Sequence, residues 1–501
     1  MKAKHEQIIQ PMTFLNYHKF LTTSFRGYSV KKLLPKYDVI IVGGGMVGFG
    51  LAAVAAASKF LGNKSILLLE SSGKKKYQRK EEYENRVVAL NDLSVNMLKS
   101  TFSIQASGFV WETKSNLYLT FQRNPLAYIV ENDLVIESLR NYLESNNNSS
   151  NVTILYETQA ENIQLPSSDH PEHLVRVDVQ QRTQDKRETV ETDLLIGADG
   201  FNSLVRRTAN IHTIGWNHNQ KAIVATLKLE QANNESIAWQ RFLPTGPVAL
   251  LPLSKEYSSL VWSTTSYEAD RLMNLKDLDF IQELNDCLTK PNESTSQIGA
   301  LFNKMGQCFA SVVDYFGNQI KSTDNERQII PRKVRYRSKV FVCNRQRICC
   351  MVLAKAYSTG FDSAHRILPL AGQGVNLGFG DVVSLVRHLE EAVLHGANIG
   401  SLAYLKDYTN ERQRIIVPLA GTLELINLLY STDAYCKQNN KESSSVCRNS
   451  AISYLLNNII TDIRGTGMST VQSSKLLKEF LMAVAVTGQI RTTQSKTTYC
   501  L

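Results

Sequence analysis

Three glycines open the chemistry of this sequence. Gly43-x-Gly45-x-x-Gly48 follows the apolar run "DVIIV" and leads into an Ala-rich stretch to about Phe60, then a second apolar run, "SILLLE", ending in Glu70. Backbone without a Cβ can turn tightly at Gly43, approach a pyrophosphate at Gly45 and pack a helix against a strand at Gly48. A helix starting there presents unpaired N–H groups and the positive end of its dipole to phosphates. Glu70, 22 residues after Gly48, can accept hydrogen bonds from a ribose diol. The order strand, glycines, helix, strand, acid predicts a βαβ unit that holds a dinucleotide, and it leaves NAD and FAD both open.

Two further stretches carry candidate chemistry. In "TDLLIGADGFNSLVRR" an apolar strand ends at Asp199-Gly200, with Ser203 and Arg206 at the start of a helix. The second is Asp362-x-x-His365-x-x-x-Pro369-x-x-Gly372-x-Gly374-x-Asn376-x-x-x-x-Asp381. Gly372 and Gly374 would bring bare backbone against a flat ligand, where N–H groups stabilise negative charge. A helix starting near Asn376 would add its dipole. Arg86, in "NRVVAL", reads by itself as a surface arginine.

Together these motifs resemble the flavoprotein hydroxylases of the para-hydroxybenzoate hydroxylase fold. "AYIVENDLVIESL", "WQRFLPTGPVALLPLS", "SLVWSTT" and "HRILPLAGQGVNLGFGD" are similar to the UbiH-type ubiquinone-biosynthesis monooxygenases, their mitochondrial coenzyme Q branch above all. The resemblance spans roughly residues 37 to 432 and implies FAD rather than NAD. It places Arg86 near the FAD phosphates, Asp199-Gly200 beside the dinucleotide, Asp362 on the ribityl chain, and the loop from Pro369 to Asn376 along the isoalloxazine. It also implies that reduced FAD and O2 form a C4a-hydroperoxide that hydroxylates a polyprenylated phenol or benzoate. Electrons would come from NAD(P)H or from a ferredoxin and its reductase, with other coenzyme Q biosynthesis proteins assembled around the enzyme. No catalytic base is assigned, and His365 reads as structural. Two departures stand out: Phe361 occupies a position where these enzymes carry glycine, and Ser363 one where they carry alanine. The rival readings are an FAD-dependent dehydrogenase or reductase without O2 incorporation, and a non-catalytic member of the biosynthetic assembly.

Positioning these residues requires an α/β architecture of several domains, as 501 residues also suggest. The motifs lie far apart yet must meet on one cofactor. A discontinuous Rossmann-like FAD-binding domain (37–215 and 341–415) is therefore expected, with an inserted β-rich substrate domain (216–340) and a C-terminal helical region (416–501). "KAIVATLKL", "VALLPL" and "SSLVWSTTS" read as strands of the insert. The helices of the tail suit core or dimer packing, or peripheral contact with a membrane.

The net charge of +10 is largely local, because residues 1–36 hold seven Lys or Arg against Glu6 alone. Nothing suggests a nucleic-acid partner. The acid-poor, hydroxyl-rich leader fits a mitochondrial transit peptide, with a disordered basic tail as the alternative. The resemblance implies a mitochondrial location, peripheral on the matrix face of the inner membrane. Eight cysteines, none before Cys287 and none in metal-ligand spacing, argue against a zinc site or a disulfide framework. Residues 39–58 are uncharged over about the length of a membrane span, but the glycines within them favour strand, turn and helix.

Overall fold

The computed structural model describes residues 35–74, 77, 83–102, 114–115, 127–145, 151–166, 174–182, 186–230, 237–243, 245–289, 334–349, 357–359, 363–367 and 374–430. The leader before position 35, Phe361, Asp362, Pro369, Gly372 and the tail beyond 430 lie outside the described residues. The chain divides into Met1–Pro35 and Lys36–Leu501, and the two seven-stranded sheets and a two-stranded one among the described residues belong to the second unit.

The first sheet is built around β1 (Lys36–Val42) and β2 (Ile66–Leu69), joined by helix α1 (Met46–Ala57). Helix α1 is apolar all round and buried at eight positions from Gly48 to Ala56, as a helix enclosed by protein must be. At 12 residues it falls well short of the ~20 that cross a bilayer. No helix among the described residues is long and apolar enough to span one. All four residues of β2 are buried, since a parallel strand covered on both faces has no solvent side.

Downstream come β3 (Val87–Leu90), α2 (Asp92–Phe102), β4 (Lys114–Ser115), β5 (Tyr128–Glu131), α3 (Asn132–Ser145), β6 (Val152–Leu155), β7 (Thr158–Gln164), β8 (Val175–Gln181) and β9 (Lys186–Gly197). The sheet order is β6-β2-β1-β9-β8-β7. Strand β1 runs parallel to both β2 and β9, with Val42 level with Leu69 and with Gly197. Gly43, Glu70 and Ala198-Asp199 therefore leave the sheet along one edge, the carboxyl edge where α/β folds bind ligands.

Helix α4 (Leu204–Thr208) follows, then β10 (Thr213–Leu229), β11 (Ile237–Leu243), β12 (Gly246–Pro252), β13 (Tyr257–Thr265), α5 (Ser266–Asn274), α6 (Asp277–Thr289) and β14 (Val334–Cys349). These strands form a second, mainly antiparallel sheet. Alternation sorts its faces. Ile223, Ala225, Leu227, Leu260 and Trp262 pack with Ala269, Leu272 and Phe280 of the two helices. Ala222, Thr226, Ser259 and Ser263 point the other way, yet are buried. There the Thr226 hydroxyl donates to the Glu84 carbonyl at 3.3 Å, so the segment before β3 rests on this face.

The stretch from 357 to 367 joins the two sheets. Strand β15 (Tyr357–Thr359) lies parallel to β9, and β16 (His365–Arg366) lies antiparallel to β14. Helices α7 (Gly374–Leu394) and α8 (Leu402–Tyr430) complete the described chain. The expected divisions at 215/216, 340/341 and 415/416 fall inside β10, β14 and α8. Each is one uninterrupted element that carries the chain across the division.

Candidate cofactor site

The three glycines of the first motif meet three different demands. Gly43 has φ +107°, a left-handed backbone, and a Cβ there would overlap the Ala198 carbonyl. Its N–H donates to the Leu69 carbonyl at 2.9 Å, binding the turn to the end of β2. A Cβ on Gly48 would overlap the Gly43 carbonyl, because the first turn of α1 presses on its own entry loop. Gly45 is different. A Cβ there meets nothing within 4 Å, and as the N-cap of α1 it leaves the helix start without a side-chain partner. A turn closed on two sides and open on the third, with unpaired helix N–H groups, suits a phosphate.

Glu70 braces the same turn. Its carboxylate accepts from the Gly44 N–H at 2.7 Å and from the Ser72 N–H at 2.6 Å. Two oxygens carry about four lone-pair sites, so acceptor capacity remains for a ribose diol.

Across the edge, Asp199 works on the protein itself. One carboxylate oxygen accepts from the Leu204 N–H at 2.6 Å, while the Ser203 hydroxyl accepts from the Arg206 N–H at 3.0 Å, and together they cap α4. Gly200 holds a left-handed φ of +75°. Ser363, fully buried, reaches this loop from the third motif. Its hydroxyl donates to the other Asp199 oxygen at 3.2 Å and accepts from the Gly200 N–H at 3.0 Å. Arg206 then donates to the Ser363 carbonyl at 2.6 Å and to the Phe201 carbonyl at 2.8 Å. The departure from alanine at 363 thus supplies a polar link between two motifs.

Further along, His365 Nε2 pairs with Asp381 at 2.7 Å, and Arg412 Nε donates to the other Asp381 oxygen at 2.5 Å, all three side chains being buried. Burial alone would raise the Asp381 carboxyl, but the charges and hydrogen bonds of His365 and Arg412 outweigh it and hold it below the usual carboxylate range. Asn376 donates to the Ala89 carbonyl at 2.8 Å and accepts from the Asn91 N–H and the Ser94 hydroxyl. Its side chain therefore faces β3 and α2.

The structure brings Gly43, Gly45, Glu70, Asp199 and Gly200 to one edge, with Gly48 behind the turn. Gly374 opens α7, and among the described residues a Cβ there would meet nothing within 4 Å. A Cβ on Gly50 of α1 would meet the Phe379 ring of α7 at 3.2 Å. Both helix N-termini thus lie about one turn from a shared contact. Arg86 is exposed at the entry to β3. Arg412 was not among the residues singled out by motif. Its signal is an arginine in a buried helical stripe with Leu405, Tyr408, Ile416 and Leu419. Among the described residues, no cluster of His, Cys, Asp or Glu suits a metal ion.

An open glycine turn, an uncapped helix start and an acid at the end of the next strand fit an adenine dinucleotide. Comparison with known proteins agrees. The family described as FAD binding domain matches residues 36–298 and 359–420. Ubiquinone biosynthesis monooxygenase COQ6, mitochondrial, of Xenopus tropicalis is 36% identical over 416 residues, 79% of this chain and 86% of the relative. The Homo sapiens protein of the same name is 35% identical over 441 residues, 83% of this chain and 90% of the relative. Among solved structures, p-nitrophenol 4-monooxygenase PnpA from Pseudomonas putida DLL-E4 aligns with a TM-score of 0.56 at 14% identity, over 90% of this chain and 98% of that one. PqsL of P. aeruginosa, in complex with 2-aminobenzoylacetate, aligns at 0.54 and 17% identity, over 79% and 97%. These two likenesses show the fold.

Proposed function

The chain belongs to the FAD-binding family that includes the ubiquinone biosynthesis monooxygenases, and from that premise we propose that it hydroxylates the ring of a polyprenylated phenol or benzoate on the way to ubiquinone. It is an FAD-dependent monooxygenase that consumes O2 and a reductant. The observation that carries the reading is the turn at Gly45, closed by backbone on both sides and open where a diphosphate would lie.

When bound and reduced, FAD supplies activated oxygen for transfer to an electron-rich ring. The protein's own groups bind and orient. Backbone at Gly43 to Gly45 and the start of α1 take the diphosphate, Glu70 takes the ribose, and Arg86 takes phosphate charge from the rim. Gly374 and Asn376, at the head of α7, direct bare backbone and a helix dipole towards the flavin ring. Asp362, Pro369 and Gly372 are assigned to the ribityl chain and the ring by their motif positions alone. Asp199 and Gly200 shape the loop beside the cofactor rather than reaching into it, as their capping bonds suggest.

The face of the second sheet opposite α5 and α6 is the proposed substrate wall. Ala222, Val224, Ala249 and Val261 make it small and apolar, with the hydroxyls of Ser259 and Ser263 on the same face. Such a wall excludes water and accommodates an aromatic ring with an apolar tail. Electrons are proposed to come from NAD(P)H bound transiently or from a ferredoxin with its reductase. By analogy with the mitochondrial relatives, the protein works in mitochondria, peripherally on the matrix face of the inner membrane and beside other coenzyme Q biosynthesis proteins.

The test uses purified protein lacking residues 1–36. Visible absorption with release of the cofactor should give one FAD per chain. Turnover of a polyprenylated phenol under labelled O2 should place one labelled oxygen on the ring. Absence of flavin after FAD is supplied in excess, or turnover without label, would overturn the proposal.

A further inference from the structure

Between His365 and Gly374 the chain carries the Pro-to-Gly loop assigned to the flavin ring, and the structure shows what holds both of its ends. His365 lies on β16 and Gly374 opens α7. Both ends are tied to Asp381, two turns into α7, and Asp381 is tied to α8.

The tie runs through one guanidinium. Arg412 Nε donates to Asp381 Oδ1, and its Nη2 donates to the Leu377 carbonyl at 3.1 Å. Leu377 and Asp381 are i and i+4, one above the other on one face of α7. A planar fork gripping two points along a helix restrains both its roll and its slide, which a single point charge cannot do. Gly380 makes room, since a Cβ there would lie 2.9 Å from Nη2. Asp381 Oδ2 carries the restraint on to His365 at 2.7 Å. On a different face of α7, the Asn376 amide holds β3 and α2. The direction of the first N–H groups of α7 is thus set by a fixed roll angle, and Arg412 is the only member of this set that comes from α8.

We infer that Arg412 is a positioning residue for the flavin. Through Leu377 and Asp381 it aims the head of α7, and through His365 it sets the other end of the ring loop. This rests on the proposed FAD site. Arg412 touches no substrate and moves no proton.

The experiment titrates FAD into apoprotein of the wild type, Arg412→Lys and Gly380→Ala, reading flavin fluorescence and visible absorption, with circular dichroism and melting temperature beside them. Lysine keeps the charge opposite Asp381 but cannot reach both acceptors. Alanine at 380 keeps the arginine and displaces it by a few tenths of an ångström, in a helix where alanine is otherwise favourable. Expected are native dichroism for Gly380→Ala and FAD binding weakened about tenfold, the scale of one lost hydrogen bond, together with a shifted flavin absorption band. Arg412→Lys should show the same shift, at least as large. A variant set that melts at lower temperature but binds FAD with wild-type affinity and an unshifted spectrum would overturn the inference, leaving Arg412 as a core contact. If Arg412→Lys does not fold, Gly380→Ala decides by the same two readings. Failure of the wild type to bind FAD is a separate result and strikes the proposed function instead.

Discussion

Two regions of this molecule meet the same kind of ligand by opposite means. The turn from Gly43 to Gly48 works by lacking side chains, and its contacts lie within its own βαβ unit and against the neighbouring backbone at Ala198. The segment from Ser363 to Asp381 works by side chains that meet partners far away in the chain. Ser363 reaches Asp199 and Gly200, Asn376 reaches Asn91 and Ser94, and Asp381 meets Arg412. The first region should therefore be intolerant of any Cβ at its closed positions and indifferent to distant substitutions. The second should tolerate a larger side chain, as it does at Ser363, and fail when a single remote partner is removed.

That contrast can be broken at several points. The largest effect is expected from Gly48→Ala or Gly43→Ala, where the new Cβ runs into backbone and, at 43, into a left-handed φ as well. Either should cost more than about 3 kcal/mol in urea unfolding, and a loss under about 1 kcal/mol would remove the idea of a sterically closed turn. Asp381→Asn comes next, at about 3–5 kcal/mol, because it leaves the buried Arg412 charge without its counterion.

The same variant has a signature in pH. A carboxyl held below its unfolded value of about 3.9 contributes stability above that pH and loses it as pH falls towards the folded value. Wild-type stability measured from pH 6 down to pH 3 should therefore fall more steeply below about 4 than that of Asp381→Asn. Parallel curves would mean that Asp381 is not held ionised by its partners.

Ser363→Ala should cost about 1 kcal/mol, because the half-buried Gly200 N–H loses its acceptor. No loss would mean that the serine is incidental. Smallest in stability is Gly45→Ala, expected within about 0.5 kcal/mol of wild type, since its Cβ points into open space from an ordinary φ of −72°. Its effect should appear in FAD titration, at tenfold or more. Wild-type FAD affinity there would separate the open face of the turn from the diphosphate.

Much of the first region was legible because glycine requirements are local. Residue spacing alone yields β1, α1 and β2, and the likeness of residues 39–58 to a membrane span dissolves once α1 is seen to stop at Ala57. The short β-rich runs that became β10, β12 and β13 were legible too, for alternation is also local. The second region was legible as a motif but not as a mechanism. Nothing in "NERQRI" announces that Arg412 will meet an aspartate from another helix, because a polar contact between distant residues leaves no period. Ser363 reads in the sequence only as a departure from alanine, and its bond to Gly200 is visible only in the structure. The links from Asp199 to the start of α4 and to Ser363 leave no trace in residue spacing and appear only in the structure.

The pairing of β15 with β9 has a consequence for biogenesis. It joins positions about 160 residues apart in parallel, a contact that forms late because so long a loop must close first. On a ribosome the glycine turn is complete long before Tyr357–Thr359 emerge. Until then the Leu195–Gly197 edge of β9 is bare strand, open to pairing with other nascent chains. Truncation between the second and third motifs should therefore yield a sticky product, prone to aggregate or to be held by chaperones, in place of a weakly active enzyme.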